Sequence, residues 1–202
     1  MTEAVAGKPV HLFENKAGIQ WRIAGVGASN GHAPFNGPNP PDGSAIQYWR
    51  KSAGGEKDTV TVTITDSQGD KVRDLVGTKT AGVNRVMWDL RHTPPPAPEG
   101  GPGFGGGGFG GGGRRGPLVP PGQYSVKITS GANTSDAQPI TVEEDPRIQI
   151  SAADRKAWYE MQMAMTRLAP QLQMGMRTVA TLGTQLREVR THLGRNPRTP
   201  EA

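Results

Sequence analysis

The hydrophobic period of this chain changes once, at Asp145-Pro146, and that change limits what the chain can build. Before it, short runs alternate apolar and polar residues, the pattern of half-buried strands. After it, apolar residues recur about every 3.5 residues, the pattern of a helix. The alternating runs are AIQYWR, TVTVTITD, KVRDLVG, VNRVMWDLR, QYSVKITS and AQPITVEE. In the second run, Val60, Val62 and Ile64 point one way and Thr59, Thr61, Thr63 and Thr65 the other. Val86, Trp88 and Leu90 repeat that spacing, as do Tyr124, Val126 and Ile128, and Ile140 and Val142. Turn residues separate the runs, Asp66-Ser67-Gln68-Gly69-Asp70 and Ser130-Gly131-Ala132-Asn133 among them. Short strands at this spacing predict a mainly β fold, an antiparallel β-sandwich over residues 43–146.

Behind the sandwich, Ser151 with Asp154 three residues on is a weaker form of the capping box and opens a helix. Its apolar seam is Trp158, Met161, Met165, Leu168, Leu172, Val179, Leu182, Leu186, Val189 and Leu193, an a/d heptad that only Gly175 interrupts. The seam keeps its phase across Pro170, and RLAPQLQ offers none of the Gly, Asn or Asp that a helix–helix turn usually contains. One long helix over 151–193, kinked at Pro170, is therefore favoured over a helical hairpin. At ~1.5 Å per residue it would be about 64 Å long, so its far half must pack on something outside this chain.

Residues 1–42 contain a strand at Val10–Phe13 and a second candidate at Gln20–Ile23, then GVGASNGHAPFNGPNPPDG, which has no periodicity. They are expected to form an N-terminal connector. Gly and Pro number 29 and 18 in 202 residues, against about 24 combined for an average chain of this length. Twelve of the glycines fall in residues 99–116, EGGPGFGGGGFGGGGRRG, a tract too poor in side chains to form a core and expected to be a disordered insertion in the sandwich. Residues 147–202 are the basic helix and its tail.

The formal charge of +5 is local. Residues 1–146 hold 14 Lys+Arg and 14 Asp+Glu, and residues 147–202 hold 9 against 4. A basic helix is more often a solvated face than a nucleic-acid reader, and no nucleic-acid partner is expected. The absence of cysteine excludes thiol catalysis, disulfides and thiolate metal sites. No apolar run approaches the ~18 residues of a membrane span, and MTEAVAGKPVHLF lacks a signal-peptide apolar region.

Catalytic patterns are equally sparse. Gly101, Gly103 and Gly106 satisfy GxGxxG by spacing alone, inside low-complexity sequence. His11, His32, His92 and His192 fall in separate segments with no metal-ligand pairing. There is no GxSxG. Glu143, Glu144 and Asp145 are adjacent at a strand end, where alternation separates neighbours, so they read as a solvated terminus rather than a glycosidase pair. Asp89, beside Trp88, reads as structural. No catalytic, cofactor or metal residue is expected. Tyr48 and Trp49 lie side by side on an alternating strand, so one of them faces outward and could stack on a sugar ring or contact a docking partner. Phe104, Phe109, Arg114 and Arg115 resemble RGG-type segments but carry too little charge to act as one.

Asp66, Gly69, Val72, Arg73, Leu75, Gly82, Trp88, Asp89, Pro121, Gly122 and Tyr124 resemble the pattern of the immunoglobulin-like domain of the flagellar hook-capping protein and its relatives. Leu90-Arg91 departs from it, since that pattern often has Gly there, and so does the long Gly-rich insertion. Over more of the chain, NPPDGSAIQYW, WDLRHTPPP, GPLVPPGQYSVKI and EEDPRIQIS followed by a helix resemble the C-terminal region of large bacterial proteins with sortilin-like or BNR-repeat β-propellers, often labelled glycosyl hydrolases. The resemblance implies an Ig-like accessory or docking module of an exported, extracellular or periplasmic protein. It would pack on the propeller through the N-terminal connector and associate through the helix, self-association included. Any hydrolytic site would lie in the propeller, and no catalytic residue carries over. A carbohydrate-binding accessory domain is the alternative. A C-terminal fragment would also account for an N-terminal strand without a sheet of its own and a seam without a partner.

Overall fold

The computed structural model describes residues 2–21, 43–55, 58–95 and 115–195. Two sheets face each other across one core. The smaller is β1 (Val10–Leu12), β3 (Ser44–Arg50) and β6 (Gly82–Trp88), in the order β1-β3-β6 and antiparallel throughout. The larger runs β2 (Gly18–Gln20), β9 (Gln138–Glu144), β7 (Gly122–Ser130), β4 (Val60–Thr65) and β5 (Lys71–Val76), and the short β8 (Asn133–Thr134) pairs with β7. A short helix, α1 (Glu3–Gly7), precedes β1, and α2 (Ala152–Gly194) follows β9.

Alternation drives this layering. Val60, Val62 and Ile64 of β4, Tyr124, Val126 and Ile128 of β7, and Ile140 and Val142 of β9 are all buried, and they meet Ile46, Tyr48 and Trp88 of the opposite sheet. Trp88 is the largest side chain wholly enclosed there; it stacks edge-on against Tyr124 at 5.5 Å and donates from Nε1 to the Arg91 carbonyl at 3.1 Å. The Tyr124 hydroxyl donates to the Pro120 carbonyl at 2.6 Å, four residues upstream. That closure is the tyrosine corner of immunoglobulin-type sandwiches, and the strand order agrees with it.

Two expectations are corrected. Residues 10–20 are not outside the sandwich: β1 completes one sheet, β2 the other, and Val10 and Leu12 are core residues. The sandwich therefore begins before residue 43. Nor are its sheets wholly antiparallel, because β2 runs parallel to β9 in the register Gly18 to Val142. Three-residue strands carry too little alternation to reveal their sheet, even where, as at Val10–Phe13, the strand itself is legible, and they are held by the long strands they pair with. The Gly-rich tract up to residue 114 and the stretch 22–42 lie outside the described residues, with Gly101, Gly103, Gly106, Phe104, Phe109 and Arg114.

The scattered pattern residues converge in space. Asp66 Oδ1 accepts from the backbone N–H of Gln68 and Asp70, and Gly69 takes φ +87° in the same turn. Arg73 pairs with Asp89 at 2.5 Å across β5 and the end of β6. The departure at Leu90 has a physical account: its φ is +56°, a left-handed conformation that favours glycine. Strain of roughly 1 kcal/mol in such a residue is offset by burying the leucine, worth about 1.5–3 kcal/mol; its side chain is 2% exposed and fills the space against Gly18.

Candidate docking surface

The single helix favoured by the sequence is present, unbroken through Pro170. Ser151 caps it, accepting from the Asp154 N–H at 3.1 Å while its hydroxyl donates to the Asp154 carboxylate at 2.7 Å. No residue of the helix is fully buried.

What the sequence did not reveal is the face by which the helix docks. Before Pro170 its half-buried residues are Arg155, Tyr159, Gln162, Met163, Thr166 and Ala169. Arg155 forms an ion pair with Glu144 at the end of β9 and also donates to the Ile150 carbonyl. The Tyr159 hydroxyl meets His92 Nε2 at 3.0 Å, with the rings 5.7 Å apart. Further along, Gln162, Thr166 and Ala169 share a shallow cleft with Arg91, Gly116 and Pro117. Apart from Met163, these docking residues also repeat every 3.5 residues, one position C-terminal to the seam, so the signal was present. It was obscured because polar and small residues at that spacing read as a solvated face.

The seam itself turns outward. Met161, Met165, Leu172 and Val179 are 58–71% exposed, and Leu168, Leu182, Leu186, Val189 and Leu193 are at least half or nearly half exposed. Trp158 is more covered, at 41%, where it borders a cleft of about 290 Å³ with Gln20, Pro120, Pro121, Glu144 and Tyr159. The sequence expected only the far half of the helix to need an outside partner. The exposed seam runs its whole length, because the polar stripe occupies the sandwich.

Tyr48 and Trp49 divide as alternation requires. Tyr48 is fully buried and donates to the Thr78 carbonyl at 2.8 Å, so it is a core residue and not a surface contact. Trp49 lies on the outer face of the smaller sheet between His11 and Val83, half-covered. Its Nε1 is enclosed and finds no hydrogen-bond partner among the described residues. The more open indoles are Trp21 and Trp158, 52% and 41% exposed; the Arg147 guanidinium sits 5.3 Å from the Trp21 ring.

The acidic strand end is also corrected. Asp145 is 1% exposed and accepts from Arg147 through its backbone N–H, Nε and a guanidinium nitrogen, while Glu144 is held by Arg155. Hydrogen bonding to Asp145 raises the Arg147 pKa further. These carboxylates anchor the lead-in to the helix. Among the described residues, no group of three or more His, Asp or Glu side chains could hold a metal ion, and no helix is long and apolar enough to cross a membrane.

Burial lowers the His92 pKa below its ordinary 6.5, and the nearby Asp66 opposes this without reversing it. The unfolded chain therefore binds the proton more readily than the folded one, so His92 favours folding above pH 6.5 and that contribution is lost as pH falls through the depressed folded value. Melting temperature should drop on acidification from pH 7 towards 5 more steeply in the wild type than in His92→Gln. Parallel profiles for the two would remove His92 from the account.

Fold and surface together define a two-sheet, immunoglobulin-type sandwich that holds the base of a helical arm and displays the arm's apolar seam. The chain matches no protein-family model and no curated protein.

Proposed function

We propose that this chain is a non-catalytic docking module of an exported, extracellular or periplasmic multidomain protein of the sortilin-like or BNR-propeller kind. One observation carries the reading: the helix binds its own sandwich mainly through polar and small residues, Met163 being the apolar exception, and leaves an apolar heptad seam exposed. Solvent-exposed apolar surface of that extent marks an interaction site. The sandwich serves as a rigid mount, with Arg155, Tyr159 and the capped first turn fixing the direction of the arm. Packing of the N-terminal segment on a propeller and the Ig-like kinship rest on the sequence resemblance, supported by the tyrosine corner and the convergence of Arg73, Asp89, Trp88 and Tyr124.

The competing carbohydrate reading has less support at Trp49, whose ring is half-covered. Titrating the purified chain with polysaccharides while following tryptophan fluorescence distinguishes the two. No saturable change and no hydrolysis of glycosidic substrates are expected. Saturable quenching abolished by Trp49→Ala would establish sugar binding and overturn docking as the main role.

A further inference from the structure

We propose that the exposed seam of α2 is the interface for a second copy of this chain, two arms pairing into a coiled coil with one sandwich on each. The proposal rests on the docking reading and names its partner. From Trp158 to Leu193 the seam steps by three and four residues without a slip. A straight helix drifts ~20° per heptad against such a repeat; the two heptads of the docking stripe tolerate that drift, but over the five heptads from Trp158 to Leu193 a period of 3.5 keeps facing its partner when that partner is a helix wound around it. The chain's own sandwich cannot be that partner, since it already holds the adjacent stripe of Arg155, Tyr159, Gln162 and Thr166.

The charges favour a second copy over an acidic or basic partner. On one flank of the seam stand Ala157, Ala164, Gln171, Thr178 and Gln185; the other carries no charge between Arg155 and Arg190. The net positive charge of the segment sits further round the helix, at Lys156, Arg167, Arg177 and Arg187. A second copy therefore meets almost no like charge beside the seam, and an acidic helix would find almost nothing there to pair with. Area is sufficient too. A seam of about 54 Å along a helix ~10–12 Å across presents roughly 600 Å² per partner, which over two partners exceeds the ~1,000 Å² expected of a specific interface.

Sedimentation of the 202-residue chain between about 1 and 100 µM should show a concentration-dependent dimer. Leu172→Asp and Val179→Asp should each give monomers with unchanged near-ultraviolet dichroism, because both side chains are 58% or more exposed and leave the sandwich untouched. Gly175→Leu fills the one gap in the seam and should lower the dissociation constant about tenfold or more; Gly175→Ala, which improves helix propensity alone, should do less. A wild type that stays monomeric throughout overturns the second copy, as does association that survives both aspartate variants. A monomer without any polysaccharide response overturns this proposal alone, whereas saturable sugar quenching overturns the docking reading beneath it.

Discussion

Trp88→Ala should cost about 3–5 kcal/mol, the range for deleting a fully buried aromatic side chain, and lower the melting temperature by roughly ten degrees or more. Trp88 is 0% exposed and stands between the sheets, edge-on to Tyr124, with its Nε1 satisfied by the Arg91 carbonyl. Truncation removes three things together: the apolar volume, the aromatic contact, and the donor that pins the chain where it leaves β6. A typical domain has only ~5–15 kcal/mol in total, so the loss is a large share. Scanning calorimetry would measure it. A transition within a few degrees of the wild type would mean that the core collapses around the gap and that Trp88 is not its keystone.

The second large effect is expected at a residue with no side chain. Gly43 lies at φ +107°, and a Cβ there would stand 2.0 Å from the Trp88 carbonyl oxygen and 2.8 Å from its carbon. Both atoms are backbone, so no rotamer change makes room. Gly43→Ala therefore combines a disfavoured backbone conformation with a forced separation of β3 from the end of β6, where Ser44 is paired with Trp88. A loss above ~2 kcal/mol is expected, measured by urea denaturation. Gly69→Ala is the comparison: φ is +87° but nothing lies within 4 Å of its Cβ, so it isolates the conformational share. Equal losses at the two positions would show that the contact with Trp88 contributes nothing.

These two residues illustrate how unevenly the fold could be read from the chain. Trp88 was legible as a core residue because it falls on the apolar phase of a long alternating run. Gly43 was legible only as the end of an aperiodic Gly/Asn/Pro connector, and its closeness to Trp88 was not legible at all, since the two are far apart in sequence and brought together by strand pairing. The same limit hid the sheet partners of β1 and β2: a strand was read at Val10–Phe13, but not its pairing with β3. Three residues carry too little alternation to say which sheet they join, and their place is set by β3 and β9. Asp145 was misread for a related reason. A run of acids at a strand end looks solvated until the chain reverses and brings Arg147 and Arg155 back onto it.

Local chemistry, then, was determined by the sequence: strands by period 2, the helix by period 3.5, its start by Ser151 and Asp154, and its passage through Pro170 by the unbroken phase of the seam. Those are properties of a residue and its near neighbours, and they survive any tertiary arrangement. Which side of the helix met the sandwich was a different matter. Two stripes repeat with the same period, one apolar and one polar, and apolar burial alone would have put Leu168 and Leu172 inward. Tertiary structure chose the polar stripe because Glu144 and His92 stand where Arg155 and Tyr159 can reach them. That choice, made by side chains distant in sequence, is what leaves the heptad seam facing outward.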